Sequence, residues 1–280
     1  MAAFRYVVAD VFTDTPLAGN QLAVFTDARG LDAGTMQRLA REMNLAESVF
    51  VLPAEDDGHA RIRIFTPSSE LPFAGHPVLG TAFVLAAPLQ LGLIRLETGA
   101  GVIPIELERE GARISFGRMQ QPVPRWEPFE AADELLAVLG VERSQLPVEL
   151  YHLGPAHVYV ALERPEDVGA LEPDFGAIAR VTDAGVNCFA GSGGRWKTRM
   201  FAPVHGVPED AATGSAAGPL AVHLARHGWI GFGEEIEIDQ GAEIGRPSTL
   251  YARAWGTPDR IERVSVGGSA VVVARGQFTL

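Results

Sequence analysis

The sequence is almost without cysteine and lysine. Cys188 is the single thiol among 280 residues, which excludes an intrachain disulfide, a two-cysteine mechanism and an all-cysteine metal site. Lys197 is the single lysine. A Schiff-base enzyme would have to use it, and it sits in a strand-like run where that role is not expected. Clustered positive charge is also missing. The net charge is −12, which argues against nucleic acid or an anionic membrane as a partner, since polyphosphates need grouped Lys and Arg. No apolar run approaches membrane-spanning length, and no charged-then-apolar leader precedes the first strand-like residues. The expectation is a cytoplasmic protein that needs its own core for stability.

A chain of this length, 47% hydrophobic, suits two ordinary domains. The runs 4–12, 20–25, 48–52 and 61–66 read as strands, the last by its polar–apolar alternation. Residues 32–43 read as a helix with Asp32 as N-cap, and the apolar stretch 77–87 as a buried helix. Short strands follow over 93–96, 101–107 and 112–116. The segment 120–128 carries three prolines and no periodicity, which predicts a linker. Beyond it come a helix over 131–139, a strand-like run over 148–162 and a short helix over 175–180.

The second half then echoes the first. Arg63-Ile-Phe-Thr-Pro67 returns as Arg199-Met-Phe-Ala-Pro203, 136 positions later. Each is followed by a short acidic loop holding proline. Each then reaches a glycine turn, Ala74-Gly75-His76 or Thr213-Gly214-Ser215, and enters an apolar helix of small residues. Upstream, Glu47-Ser-Val-Phe50 is loosely echoed by Val186-Asn-Cys-Phe189. The pattern predicts a duplicated α+β fold: two pseudo-symmetric lobes, each a curved, mainly antiparallel sheet wrapped around a central helix, with a cleft between them. The expected lobes are 1–118 and 119–280, the final strand 264–280 being free to pack on the first.

The first amides of a helix lack intrahelical acceptors and sit at the positive end of its dipole, so such ends bind anions. Gly75 and Gly214 permit close backbone approach, and Pro77 suits the first helical position, where no N–H is needed. Two such starts would cradle a carboxylate or a forming enolate. His76 sits at one of them, where a positive helix end favours neutral imidazole. Asp210 lies just before the other, although first-turn acids are ordinary. Glu47 stands in an apolar patch, which would raise a carboxyl pKa toward the range useful for general acid–base work. Its echo is not acidic, as expected if one carboxylate moves a proton on one face.

Other motifs are weaker. His223 and His227 stand at i and i+4, a possible metal pair, but they lack the metalloprotease glutamate and a third ligand. A surface helix is expected there, and no metal site. Gly191-Ser-Gly-Gly194 has no following Gly-Lys-Ser/Thr, Gly99-Ala-Gly101 opens a strand rather than a helix, and Ser192 lacks a Gly-x-Ser-x-Gly frame.

Taken together, Ala40-Arg-Glu-Met-Asn-Leu-Ala-Glu-Ser-Val-Phe50, Arg63-Ile-Phe-Thr-Pro with Glu70-Leu-Pro-Phe-Ala-Gly-His-Pro77, and Phe201-Ala-Pro with Glu209-Asp-Ala-Ala-Thr-Gly-Ser-Ala-Ala-Gly218 resemble the phenazine-biosynthesis PhzF-like family. Gly19-Asn-Gln-Leu-Ala-Val24 and Val266-Gly-Gly-Ser-Ala-Val-Val-Val fit the same pattern, and the resemblance covers nearly the whole chain. It implies the diaminopimelate-epimerase fold and a homodimer without cofactor or metal. The activity it implies is isomerisation of a small cyclic or conjugated carboxylic acid, such as trans-2,3-dihydro-3-hydroxyanthranilate. Under the resemblance Glu47, His76 and Asp210 become the catalytic side chains. Asn20, Gly75, Thr213, Gly214 and Ser215 become the substrate-binding residues. The related epimerases carry a cysteine before each glycine. Ala74 and Thr213 stand there instead, which disfavours a two-thiol racemase. Racemisation or dehydration of a hydroxy or amino acid, and carboxylate binding without catalysis, are the alternative readings.

Overall fold

A computed structural model describes residues 2–280, and these divide into two compact units, 2–120 with 266–280, and 121–265. The first unit runs β1 (Ala3–Val11), β2 (Asn20–Phe25), α1 (Ala33–Met43), β3 (Glu47–Leu52), β4 (Ala60–Phe65), β5 (Glu70–Leu71), α2 (Gly75–Leu89), β6 (Leu93–Thr98), β7 (Gly101–Glu110) and β8 (Arg113–Gln121). The second contains β9 (Arg125–Pro128), α3 (Ala132–Leu139), β10 (Glu149–His152), β11 (Ala156–Ala161), α4 (Pro165–Gly169), α5 (Phe175–Val181), β12 (Gly185–Ser192), β13 (Arg195–Ala202), β14 (Val207–Asp210), α6 (Gly214–Arg226), β15 (Glu235–Gln240) and β16 (Ser248–Thr257). The chain then runs through β17 (Arg260–Gly268) into β18 (Ala270–Thr279), which returns to the first unit.

The two units repeat one strand plan. In the first, β18–β1 and β1–β2 are antiparallel, β2–β3 is parallel, β3–β4 and β4–β5 are antiparallel, β4–β6 is parallel and β6–β7 antiparallel. In the second, the same series reads β9–β10, β10–β11, β11–β12, β12–β13, β13–β14, β13–β15 and β15–β16. Each sheet is therefore mixed but mainly antiparallel. Each parallel step needs a crossover: α1 and α2 supply the two in the first unit, and α4 with α5, then α6, the two in the second.

Strand alternation sorts the side chains onto two faces. In the first unit Ala23, Phe25, Phe50 and Phe65 pack with Met36, Leu39 and Ala40 of α1. In the second Val158, Val160, Val186, Cys188 and Phe201 pack with Leu135, Leu139 and Ile178 of α3 and α5. The opposite face takes α2 or α6. Both helices are apolar, and every residue of their first nine positions is buried, which is the signature of a helix enclosed by its own domain. Close seating requires glycine. A Cβ at Gly80 would lie 2.6 Å from Val11 Cγ2 and 2.7 Å from Leu22 Cδ2, and one at Gly218 2.7 Å from Val264 Cγ1.

Two expectations change. The proline-bearing segment 120–128 is not all linker. β8 runs to Gln121, and Arg125–Pro128 forms β9 on the edge of β10, a place that tolerates proline. The strand-like run 148–162 is a hairpin, broken where Gly154 takes a φ of +79°.

Candidate active site

β2 and β3 carry Asn20 and Glu47 onto the face that holds α2. Leu22 stands opposite Glu47 in the parallel register and packs toward Gly80, while Phe50 points the other way into the α1 cluster. His76, the second residue of α2, reaches both. Its Nδ1 lies 3.3 Å from Asn20 Nδ2, and its Nε2 lies 3.1 Å from Glu47 Oε2. The latter approach is off the hydrogen-bond axis, so Nε2 is close to the carboxylate without a formed bond. The His76 pKa falls from 6.5 to about 3, because burial penalises the cation more than a backbone contact with Gln21 supports it. The ring is neutral, as the helix position predicted, but desolvation is the dominant cause.

Ala74 and Thr213 are the N-caps, and neither gives its helix a side-chain cap. The cysteine positions of the epimerases are thus held by a methyl group and a hydroxyl. Cys188 lies in the outer core instead, and burial pushes its thiol up to about 12. Pro77 is the third helical residue rather than the first, still within the turn whose N–H groups are not needed.

The start of α6 is bound into a polar network. The Thr213 hydroxyl donates to Asp210 Oδ2 at 2.6 Å. Gln240 of β15 accepts from the Thr213 amide at 3.1 Å. It also donates to the Thr213 hydroxyl at 3.0 Å and to the Asp210 carbonyl at 2.8 Å. Gln121 donates to the Gly214 carbonyl at 2.8 Å, Tyr159 to that of Ala216 at 2.7 Å, and His157 Nε2 lies 3.0 Å from Ser215 Oγ. Asp210, Thr213 and Ser215 are therefore brought together by Gln240, Gln121 and His157, none of which the sequence reading singled out. A lone glutamine in a strand carries no local signal. His157 had one in hindsight, a polar residue alternating with apolar ones on the face opposite Val158 and Val160.

The repeat also corrects an alignment. Phe65 and Arg63 of β4 pair with Ser48 and Phe50. Their counterparts Phe201 and Arg199 pair with Val186 and Cys188. The position of Glu47 therefore corresponds to Gly185, not to Val186, and a one-residue slip exchanges the faces of a strand. In the parallel register Leu22 stands opposite Glu47, and His157 stands opposite Gly185. At these matched positions each cross-strand pair sends one polar side chain to the second residue of its helix, Glu47 to His76 and His157 to Ser215, with Asn20 of β2 as a further contact to His76.

His223 is not on a surface helix. It is fully buried, and its Nδ1 lies 3.0 Å from Glu149 Oε2, with His227 Nε2 at 3.4 Å from the same oxygen. Glu149 is the third group absent from the sequence motif. Arg226 Nη1 stands 2.6 Å from that oxygen too, with its guanidinium over the Trp126 ring, and the Tyr151 hydroxyl donates to the same Glu149 oxygen. The carboxylate charge is already matched by a guanidinium, so a divalent cation here would be set against Arg226. Two cavities of about 880 and 370 Å³, one in each unit, are lined by none of the predicted site residues.

A carboxylate beside a buried neutral imidazole, and helix amides beside a fixed hydroxyl, can relay protons and stabilise an anion. A family model for phenazine biosynthesis-like proteins matches residues 9–276. The trans-2,3-dihydro-3-hydroxyanthranilate isomerase of Pseudomonas aeruginosa is 54% identical over 276 residues, which cover 99% of each chain. A phenazine biosynthesis protein of the PhzF family from Bacillus anthracis has the same fold, with a TM-score of 0.86 at 24% identity over 100% of both chains. A predicted epimerase from Pseudomonas aeruginosa matches with a TM-score of 0.82 at 32% identity over 99% of both. The protein is an isomerase on a duplicated α+β scaffold. It belongs to the phenazine biosynthesis-like family, whose members include the PhzF-like isomerases.

Proposed function

We propose that this isomerase moves a proton on a small cyclic or conjugated carboxylic acid without a cofactor, and that trans-2,3-dihydro-3-hydroxyanthranilate is its substrate. The proton chemistry rests on one observation, the Glu47 carboxylate 3.1 Å from a buried, neutral His76. The choice of substrate rests on relatives of that name at 52–54% identity along 99% of the chain. In this reading Glu47 takes a proton from C3 and returns it elsewhere on the conjugated system, so no atoms are gained or lost. His76 and Asp210 orient the substrate and assist the transfer. Asn20, Gly75, Thr213, Gly214 and Ser215 bind it, the helix amides being suited to its carboxylate.

Glu47→Gln keeps the shape and removes the base. It should lower kcat by roughly 10²–10⁴-fold, the usual worth of general acid–base catalysis, and suppress deuterium uptake from solvent into the product. Near-normal turnover by this variant would overturn the assignment. The reading also takes the enzyme to be a cytoplasmic homodimer, as the family resemblance implies. No helix among the described residues is long and apolar enough to cross a membrane. Sedimentation at micromolar protein should give twice the 29.9 kDa chain mass, and a monomer would count against the dimer.

A further inference from the structure

We propose that His157 is a positioning residue that fixes the Ser215 hydroxyl as a hydrogen-bond donor toward the substrate's anionic group. The inference rests on the reading of Ser215 as a substrate-binding residue and adds what gives that hydroxyl its polarity.

A serine hydroxyl can donate or accept, and at the mouth of an anion site the difference matters. A lone pair turned toward a carboxylate repels it, while an O–H joins the donors of the helix start. Among the described residues, the ring that lies 3.0 Å from Ser215 Oγ is His157, itself buried. Burial, aided by repulsion from His205, lowers its pKa from 6.5 to about 3. The imidazole is therefore neutral and carries one N–H.

The surroundings of the other nitrogen select where that proton sits. Nδ1 is buried without a hydrogen-bond partner. It faces the bare Cα of Gly185, where an added Cβ would lie 2.8 Å from Nδ1 and 3.0 Å from Met200 Sδ. A proton on Nδ1 would be an orphaned donor facing the Gly185 backbone, the kind of buried group proteins rarely retain. A proton on Nε2 leaves only a lone pair there and makes a hydrogen bond to Ser215 Oγ. Ser215 then accepts from His157, and its own O–H is left to point away, beside the amides of Gly214 and Ser215. The corresponding place in the first unit holds Leu22, opposite the acid Glu47. The duplicated positions thus supply a proton-moving acid to one helix start and a fixed donor to the other.

Nitrogen-15 spectra of histidine-labelled enzyme should show His157 as the neutral Nε2–H tautomer from pH 5 to 8. The Nδ1–H tautomer, or an imidazolium in that range, would overturn the proposal whatever the substrate is. In steady-state assays with trans-2,3-dihydro-3-hydroxyanthranilate, His157→Phe should raise KM roughly 10- to 100-fold with kcat within a few-fold. His157→Gln, which keeps a donor amide, should recover most of that loss. Phe and Gln variants with the same KM, or a loss confined to kcat, would also overturn it. Wild-type enzyme inert toward this acid would remove the substrate assignment and leave the tautomer as the deciding measurement.

Discussion

The two helix starts share a backbone and differ in what stands beneath them. Under α2 the cross-strand pair is Leu22 and Glu47; under α6 it is His157 and Gly185. In one unit the polar group comes from the second strand of the pair, in the other from the first. The lesson concerns what a duplicated fold keeps. The glycine turn, the uncapped helix and the strand plan are held by geometry, so both copies retain them. The side chains that meet position two of the helix are held only by the chemistry asked of them, and these have diverged.

A second duplicated feature has diverged in burial instead of chemistry. Arg63 holds Glu70 through two bonds, of 2.7 and 2.6 Å, and Arg199 holds Glu209 through two of 2.9 and 2.8 Å. Each guanidinium also lies over a phenylalanine ring, Phe65 or Phe201. The first pair is partly open to solvent, with side chains 23% and 42% exposed; the second is 7% and 6% exposed. Removing one partner should therefore give unequal losses. Arg199→Leu strands a buried carboxylate and three backbone carbonyls and should cost about 3–5 kcal/mol. Arg63→Leu should cost about 1 kcal/mol or less. Urea unfolding of the two variants measures the difference, and equal losses would show that burial is not what separates the pairs.

Acid should unsettle both units through their buried rings. His76 and His157 each have a folded pKa near 3 against an ordinary 6.5. Between those values the unfolded chain takes up protons that the folded rings refuse. Stability therefore falls as pH drops from 6.5 toward 3, by about 1.4 kcal/mol per pH unit for each fully linked ring. Urea midpoints taken from pH 7 to pH 4 should show this slope, and His76→Gln and His157→Gln should each flatten it by a similar amount. A slope left unchanged by either variant would place that histidine in a solvated site. A more local effect should come from Gly185→Ala. The new methyl would crowd His157 Nδ1 and Met200 Sδ, and overpacking of this kind costs about 1–3 kcal/mol. The loss should be seen in the urea midpoint, together with a rise in KM. A variant as stable as wild type would show that the ring has room to move.

Much of the scaffold was legible because it is written locally. Asp32 caps α1 by accepting from the Thr35 amide, as its place before the apolar stripe predicted. β2 runs over Asn20–Phe25 as its composition indicated. The repeat was legible because Arg-x-Phe-x-Pro and the glycine turn are short and rigidly spaced. Features decided by distant parts of the chain were not. Glu149 meets His223 across 74 positions and Gln121 meets Gly214 across 93. No window of sequence contains both members of either pair. The echo of Glu47 was misplaced by one residue because Ser48-Val-Phe and Asn187-Cys-Phe look alike as letters. Strand pairing, which fixes the face, is not visible in letters.

The pairing of Ala3 with Thr279 bears on how the chain is made. Synthesis delivers residues 121–265 as one uninterrupted stretch before β18 emerges, so the second unit can finish while the first still lacks a strand. Domains usually complete in the order they leave the ribosome; here the half that is begun first closes last. Through that interval Ala3–Val11 presents an unpaired strand edge, the kind of surface on which one chain can add to another. The risk of aggregation during synthesis is thereby concentrated in β1, which is made long before its partner β18.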